Sequence, residues 1–326
     1  MNMKKAILAS MIVSSMLVAL AGPIPAGAEA AQEQKQADNK KLQIDQKLAA
    51  KLQKAVKQFA GKEVRLQDTA EDIRDSDAKI KSVDGKYVIY FNYKKGEIWS
   101  IEGAVPLDKM SKEDQMKVLE ALKKAYAKKT YVLDKEMVLT RPYDGKKEKL
   151  KDYFSYTLRG KDFEAIWSGT GFVREVTIKL AKEDLDSKWL ETAAKAMRTT
   201  FNHDLNVTEA YLNSSGENYH MLSLKDNVVS LEMEAKKGRV LNVFHNTRKK
   251  VTTDQEVTEK DAKEVVAPLA KELFNIDVSG LEVSWDNTLK DYCFVKGKET
   301  VVRAALDANK NAVYIISSGS GLMVGN

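Results

Sequence analysis

The chain has 326 residues, of which 43% are hydrophobic and 31% are charged, and it carries a formal net charge of +6. Glycine (17), proline (5) and cysteine (1) are too scarce for a collagen-like, low-complexity or disulfide-stapled protein. Because domains commonly contain roughly 100–200 residues, the length predicts two or more of them.

Residues 1–30 have the layout of a secretory signal peptide. The first five residues include two lysines, Ala6–Ala21 is almost entirely apolar, and the last nine are mostly small. The apolar run is shorter than the roughly 20 residues that span a bilayer. We therefore expect cleavage after Ala28 or Ala30, no transmembrane segment in the mature chain, and a location outside the cell or on the cell envelope.

The basic residues are mostly lysine, which supplies 44 of the 53, and they are interspersed with 47 acidic residues. Nucleic-acid-binding proteins rely more on arginine and concentrate their basic residues on one face. We therefore predict a solvated exterior and no nucleic-acid ligand. Weak, salt-sensitive attraction to anionic polymers or lipid head groups of the envelope stays open as an interpretation.

Four amphipathic helices are predicted after a polar leader at residues 31–41. In each of them apolar residues recur every three or four positions, which is the period of a helix with one buried face. Their predicted ranges are Leu42–Phe59, Ser111–Tyr126, Asp186–Phe201 and Thr258–Phe274. Pro268 falls inside the fourth helix, where it removes a backbone hydrogen bond, so we expect a kink or a break near Val266.

Two independent landmarks recur along the chain with similar spacing. The last aromatic residues of the four helices lie 67, 75 and 73 residues apart. Short β-rich stretches that follow turn residues recur at intervals of 75, 67 and 73 residues. These stretches begin at Glu97, Phe172, Arg239 and Ala312. The agreement of the two spacings predicts a fourfold internal repeat.

Each helix is predicted to be followed by three strands. In the third repeat the strands are Tyr219–Leu224, Val228–Glu234 and Arg239–His245. If the last two strands form a hairpin, Leu231 lies opposite Val243. In the same register Met233 lies opposite Leu241, so that one face of the hairpin is apolar and the other polar.

The predicted fold class is α+β, with four tandem helix-plus-three-strand (αβββ) repeats in which each helix covers the apolar face of its own antiparallel sheet. Because such a small unit has a thin core, we expect the repeats to pack together or to pair into extended sheets. The predicted divisions are a signal peptide at 1–30, a flexible leader at 31–41, repeats at 42–107, 108–182, 183–253 and 254–318, and a flexible C-terminus at 319–326.

This arrangement resembles a tandem array of PepSY-like domains, the small helix-plus-three-strand modules of exported bacterial proteins and of certain peptidase propeptides. The resemblance covers nearly all of the mature chain, and its motifs are generic. It rests on the helix ends at Phe59, Tyr126, Phe201 and Phe274 and on closing hairpins such as Met233–Leu241. The resemblance implies binding or restraint of a peptidase, and it implies no catalytic residues.

Catalytic and metal-binding motifs are absent from the sequence. It has no zinc-protease, serine-hydrolase or phosphate-loop motif, and its single Cys293 is expected to be a small buried hydrophobic side chain. All three histidines, His203, His220 and His245, fall in the third repeat. The assumed register puts His220 and His245 on opposite faces, which argues against a shared metal site. We therefore predict no enzyme activity, no cofactor and no metal.

Trp167 and Arg174 are the candidate binding residues, because both residue types are enriched in binding hot spots. They flank a glycine-rich turn in the second repeat. The register of the other repeats places Glu164 and Arg174 at positions that are hydrophobic elsewhere, so we expect a bulge or a slipped register there. A tryptophan that packs at a junction between repeats is the simpler interpretation of Trp167.

The predicted function is an exported, non-catalytic protein that binds a polypeptide, with an extracellular peptidase that it inhibits or assists as the candidate partner. An exposed sheet edge accepts an extended chain by β-augmentation, in which backbone hydrogen bonds supply the affinity. The alternative is a structural protein of the cell envelope, which lysine-rich surfaces hold to anionic wall polymers.

Overall fold

The computed structural model describes residues 41–143, 153–216 and 219–318. These residues contain the helices α1 (Gln46–Ala60), α2 (Lys112–Ala125), α3 (Ser187–Phe201) and α4 (Glu259–Phe274), and two short 3-10 helices, Leu107–Lys109 and Lys182–Asp184. Their strands are β1 (Lys41–Gln43), β2 (Thr69–Arg74), β3 (Asp77–Lys81), β4 (Tyr87–Asn92), β5 (Glu97–Pro106), β6 (Glu136–Pro142), β7 (Ser155–Gly160), β8 (Phe163–Ser168), β9 (Phe172–Lys179), β10 (Glu209–Ser215), β11 (Tyr219–Lys225), β12 (Val229–Glu234), β13 (Arg239–His245), β14 (Glu282–Asp286), β15 (Asp291–Lys296), β16 (Glu299–Leu306) and β17 (Ala312–Ser317).

Local capping interactions set the helix ends. At the start of α4 the Thr258 side chain accepts a hydrogen bond from the Asp261 amide, and the Asp261 side chain accepts one from the Thr258 amide. At their C-terminal ends, α1, α3 and α4 are followed by Gly61, Asn202 and Asn275, all in the left-handed conformation that closes a helix. Because these signals are local, the predicted helix ranges agree with the observed ones to within a turn.

Helix α4 runs unbroken through Pro268, so the predicted break near Val266 is absent. A proline inside a helix costs about 3 kcal/mol. Val266, Ala270 and Phe274 are buried on both sides of Pro268, and this burial offsets the cost. Among the described residues no helix combines the length and the apolar character needed to cross a bilayer.

All strands in the described part of the chain belong to one antiparallel sheet of seventeen strands. From β1 to β13, each strand pairs with the next one along the chain. The order then reverses, because β13 pairs with β17, and the sheet continues through β16 and β15 to β14. Strands β1 and β14 are therefore the two outer strands.

The four helices pack on one face of the sheet, the helix face, and the opposite surface is the open face. Helix α1 packs on β4 and β5, α2 on β8 and β9, α3 on β13, and α4 mainly on β17. The buried apolar residues form two clusters. One lies under α1 and extends from Leu48 to Ile101, and the other extends from Met110 to Ile315 under the remaining helices.

The prediction of four αβββ repeats is wrong. Four strands, not three, follow each helix, and the last strand of one group pairs with the first strand of the next, as β5 does with β6 and β9 with β10. Edge pairing of this kind merges the groups into one sheet. The predicted signal peptide at 1–30 and the predicted flexible C-terminus at 319–326 lie outside the described residues. The predicted leader also lies outside them, except for Lys41. The boundaries at residues 107, 182 and 253 stay predictions.

A β-bulge interrupts the hairpins β4–β5, β8–β9, β12–β13 and β16–β17. In β12–β13, Leu231 lies opposite Val243 as predicted, but the bulge places Met233 opposite Val240 instead of Leu241. In β8–β9 the extra residue is Arg174, which confirms the predicted bulge in this part of the chain.

Gly160, at the end of β7, provides a test of close packing. A Cβ atom there would lie less than 3.0 Å from the Val132 carbonyl oxygen and from the Phe163 ring. We expect Gly160→Ala to lower the free energy of unfolding by about 1–3 kcal/mol, because the neighbours must move. Chemical denaturation measures the change. The control is Gly280→Ala, where the added Cβ has no neighbour within 4 Å; equal losses in the two variants would contradict the assignment.

Candidate functional site

The two candidate binding residues lie in different environments. Trp167 is on the helix face of β8, only 3% exposed, and Lys117 Nζ lies 5.9 Å from the centre of its ring. Arg174 is exposed on β9, and its carbonyl oxygen accepts a hydrogen bond from Ser215 Oγ at 2.8 Å. Trp167 therefore belongs to the core under α2, whereas Arg174 reaches solvent. Their binding role stays a prediction.

The register places His220 and His245 on the same face of the sheet. His220 lies opposite Ser214, and His245 lies opposite Val229 and packs edge-on against Phe201 at 5.4 Å. The prediction of opposite faces is wrong. It assumed that His220 lies across from Glu232, whereas the observed pairing of β11 with β12 is shifted by three residues from that register. Of the described residues, no histidine belongs to a group of three potential metal ligands.

Asp226 joins the segment after α3 to the turn between β11 and β12. Its Oδ2 atom lies 2.7 Å from His203 Nε2 and accepts a hydrogen bond from the Asn206 amide at 3.2 Å. Its Oδ1 atom accepts hydrogen bonds from the Val228 and Val229 amides, both at 2.8 Å. Burial alone raises the pKa of Asp226, but these hydrogen bonds outweigh burial and hold the pKa below its ordinary value.

A buried charged cluster, the Arg303 cluster, lies on the open face of the last four strands and consists of Asp286, Asp291, Cys293, Arg303 and Tyr314. Arg303 and Asp291 are 6% and 1% exposed. The guanidinium donates from Nε and Nη2 to the two oxygens of Asp291 at 3.0 and 2.7 Å, and Nη2 also donates to Asp286. Tyr314 donates its hydroxyl hydrogen to Asp291 at 2.6 Å.

Metal binding is the first chemistry to consider at the Arg303 cluster. One ligand atom from each of Asp286, Asp291 and Cys293 lies within 4.8 Å of the others, and this is the one such group in the described residues. Arg303, however, already contacts both carboxylates and neutralises part of their charge. The arrangement is that of a buried ion pair with its hydrogen bonds satisfied, which fixes the positions of the strands that carry it.

The pKa shifts of Arg303, Tyr314 and Cys293 keep these three groups protonated near neutral pH. Burial lowers the pKa of Arg303, but hydrogen bonds to Asp291 and Asp286 outweigh burial and raise it. Burial and the hydrogen bond to Asp291 raise the pKa of Tyr314, and burial raises that of Cys293. The thiol therefore stays protonated near neutral pH and is a poor nucleophile.

The outer strand β14 differs from the other strands that directly follow a helix. Strands β2, β6 and β10 each pair with the next strand of the chain along one edge. Along their other edge, β2 pairs with β1, β6 with β5, and β10 with β9. The corresponding edge of β14 has no strand partner among the described residues, because β13, the preceding strand, pairs with β17 instead. The reversal of strand order thus leaves an edge open where the other groups have theirs filled.

The side chains of β14 alternate between two chemistries. Val283 and Trp285 lie opposite Phe294 and Tyr292 on the helix face. The Trp285 and Tyr292 ring centres are 4.9 Å apart. On the open face, the β14 side chains are Glu282, Ser284 and Asp286. A strand added to this edge therefore meets apolar side chains on one face and acidic side chains on the other.

Comparison with known proteins gives no family for this chain: no family model, no curated protein and no solved structure matches it. The resemblance to PepSY-like domains stays a prediction.

The sequence analysis did not identify Arg303 as a residue of the candidate site. The available signal was a charged residue inside the apolar run Val301–Leu306, since an arginine in a buried strand needs a carboxylate partner.

Arg303→Met tests the ion pair. The substitution leaves the buried carboxylate of Asp291 without its cation, so we expect the free energy of unfolding to fall by about 3–5 kcal/mol. The control is Arg198→Met, whose partner Asp204 and whose own side chain are 85% and 70% exposed, with an expected loss of at most about 1 kcal/mol. Chemical denaturation compares the two. Equal losses would contradict the assignment of Arg303 and Asp291 as a buried ion pair.

Asp226→Asn tests the pH dependence of stability. The pKa of Asp226 is lower in the folded protein than in the unfolded chain, so its contribution is present above the unfolded pKa of about 3.9 and is lost as the pH falls through the folded value. We expect the variant to be less stable at pH 7 and the difference from the wild type to shrink below about pH 4. Denaturation curves at pH 7 and at several values below pH 4 measure this. A difference that stays constant with pH would contradict it, and Asp204→Asn is the exposed control.

Proposed function

We propose that this chain is an exported, non-catalytic protein that binds a polypeptide partner by accepting one strand of the partner at the open edge of β14. An extracellular peptidase is the partner that the PepSY-like resemblance favours. The observation that carries the proposal is the edge of β14, which no strand of the described residues fills, in a sheet where β2, β6 and β10 all have a strand at the corresponding edge.

The ion pairs of the Arg303 cluster hold β14 in place. Asp286 of β14 is bonded to Arg303 of β16, two strands further into the sheet. The other Asp286 oxygen accepts hydrogen bonds from the Thr288 and Leu289 amides, at 2.8 and 3.0 Å, in the turn to β15. A strand that is fixed before binding loses less conformational entropy when a partner is added, which favours affinity.

The edge also has features that restrict which strand it accepts. It is five residues long and has acidic residues at both ends. Short, charged outer strands are a common protection against indiscriminate sheet extension. The edge therefore favours an extended segment with basic side chains toward the open face and apolar side chains toward Val283 and Trp285.

Proline substitution tests the proposal directly. Successive residues of an outer strand point their N–H groups alternately toward the sheet and away from it, so one of Val283→Pro and Ser284→Pro removes an outward N–H group and leaves the pairing with β15 intact. Thermal unfolding identifies this variant, because it keeps the stability of the wild type, and we call it the edge-blocked protein. Random displayed peptides are selected on the exported wild-type chain and then titrated against both proteins.

We expect the selected peptides to bind the edge-blocked protein about tenfold more weakly or worse, because backbone hydrogen bonds supply most of the affinity in strand addition. Gly280→Ala, close to β14 but outside it, is the control and should bind like the wild type. Selected peptides that bind the edge-blocked protein as well as the wild type would contradict the proposed function.

A further inference from the structure

We propose that β1 of a second copy of this chain is a strand that fits the open edge of β14, so that copies join head to tail through one continuous sheet. This inference rests on the proposed function, since both require a strand to be added at β14. The two edges involved, those of β1 and β14, are the outer edges of the seventeen-stranded sheet.

The two faces of β1 match those of β14. Leu42 lies opposite Ala70 and packs against the core under α1, so its side chain is on the helix face. Lys41 and Gln43 lie opposite Glu71 and Thr69 on the open face. When the helix faces of two copies are aligned, Leu42 meets the apolar residues of β14, and Lys41 meets its acidic side.

Strands β1 and β14 run in the same direction, because an even number of antiparallel steps separates them in the sheet. A second copy whose helix face is aligned with that of the first therefore places its β1 parallel to β14. In one parallel register Lys41 lies beside Glu282, and Leu42 lies beside Val283. In the other, Leu42 lies beside Trp285, and Lys41 lies beside Ser284, diagonal to both acidic residues. Diagonal neighbours on a sheet are about 7–8 Å apart, which a lysine side chain spans, so both registers pair Lys41 with an acidic residue.

The charges at the two edges are available for such a pair. Lys41 is exposed, and its cross-strand neighbour Glu71 is already bonded to Lys79 and Lys81, both at 3.0 Å. Glu282 is also exposed. Within the described parts of the chain, neither Lys41 nor Glu282 has an ion-pair partner, so a contact between copies adds an attraction without breaking one.

Pairing of like edges is less favourable. Two β14 strands that pair antiparallel around Ser284 place Glu282 of each copy opposite Asp286 of the other, and like charges directly opposite one another are destabilising. Two β1 strands place Lys41 opposite Gln43, which offers no opposite charge. The charge pattern therefore selects the contact between unlike edges.

A contact between unlike edges is heterologous. Each copy then has one donor edge and one acceptor edge, and such contacts generate a ring or an open-ended row of copies, not a closed dimer. With few residue pairs in each junction, the association is weak, and it depends on protein concentration and salt.

Charge reversal in the exported full-length chain tests the assignment. Sedimentation velocity over a range of protein concentrations, at low and high salt, measures self-association. We expect Lys41→Glu and Glu282→Lys each to weaken association by about two- to fivefold, which is the range measured for exposed and cross-strand ion pairs. The double variant restores association toward the wild-type level, because it forms the same pair with reversed signs.

Lys54→Glu in α1 makes the same charge change at an exposed site away from both edges, and it should leave association unchanged. Thermal unfolding of each variant checks that β1 stays folded on β2. The edge-blocked proline variant should lose self-association together with peptide binding.

The outcomes separate this inference from the proposed function. A wild-type chain that stays monomeric at all concentrations, or an association that neither reversal weakens, would overturn the second-copy assignment. In both cases the peptide selection at β14 still decides the proposed function. Self-association that survives in the edge-blocked variant would place the contact elsewhere and would also overturn the inference.

Discussion

The pairing of β13 with β17 is the contact on which the rest of this architecture depends. It joins residues that are roughly 70 positions apart in the chain, with Val243 opposite Ile315, and both side chains are fully buried. Because β17 takes the place beside β13, β14 is left at the far end of the sheet. Helices α3 and α4 come into contact above this junction, where Lys195 and Glu272 form an ion pair at 2.6 Å.

The open face of the last four strands carries the buried ion pair of Arg303 and Asp291. Arg303, Asp291 and Tyr314 come from three adjacent strands, and both Arg303 and Tyr314 donate hydrogen bonds to Asp291. Replacing such a network by apolar side chains is often neutral or stabilising, so ion pairs of this kind are weak evidence for added stability. The ion pair of Asp286 with Arg303 instead fixes the outer strand β14 relative to β16 in the interior of the sheet.

The helices and the closing hairpins could be predicted from sequence because their signals are local. The apolar period of Leu48, Leu52 and Val56 predicts the helix whatever it packs against. The first strand of each group was missed, since segments such as Thr69–Arg74 are polar and depend on neighbouring strands. The sequence left open whether the groups pack together or share strand edges, because alternation tells which face is buried and not which edge is shared. For the same reason, the pattern did not indicate that β14 is left open or that Arg303 meets two aspartates.

The long separation of β13 from β17 also shapes how the chain folds. Strands β1 to β13 pair with sequence neighbours, so their contacts form with little loss of chain entropy. The second edge of β13 is completed only when the last strand arrives, after the whole of α4 and three further strands. As the chain is synthesised from its N-terminus, β13 therefore keeps one edge unpaired until β17 has emerged. This interval is when the protein is most prone to mispairing with other chains.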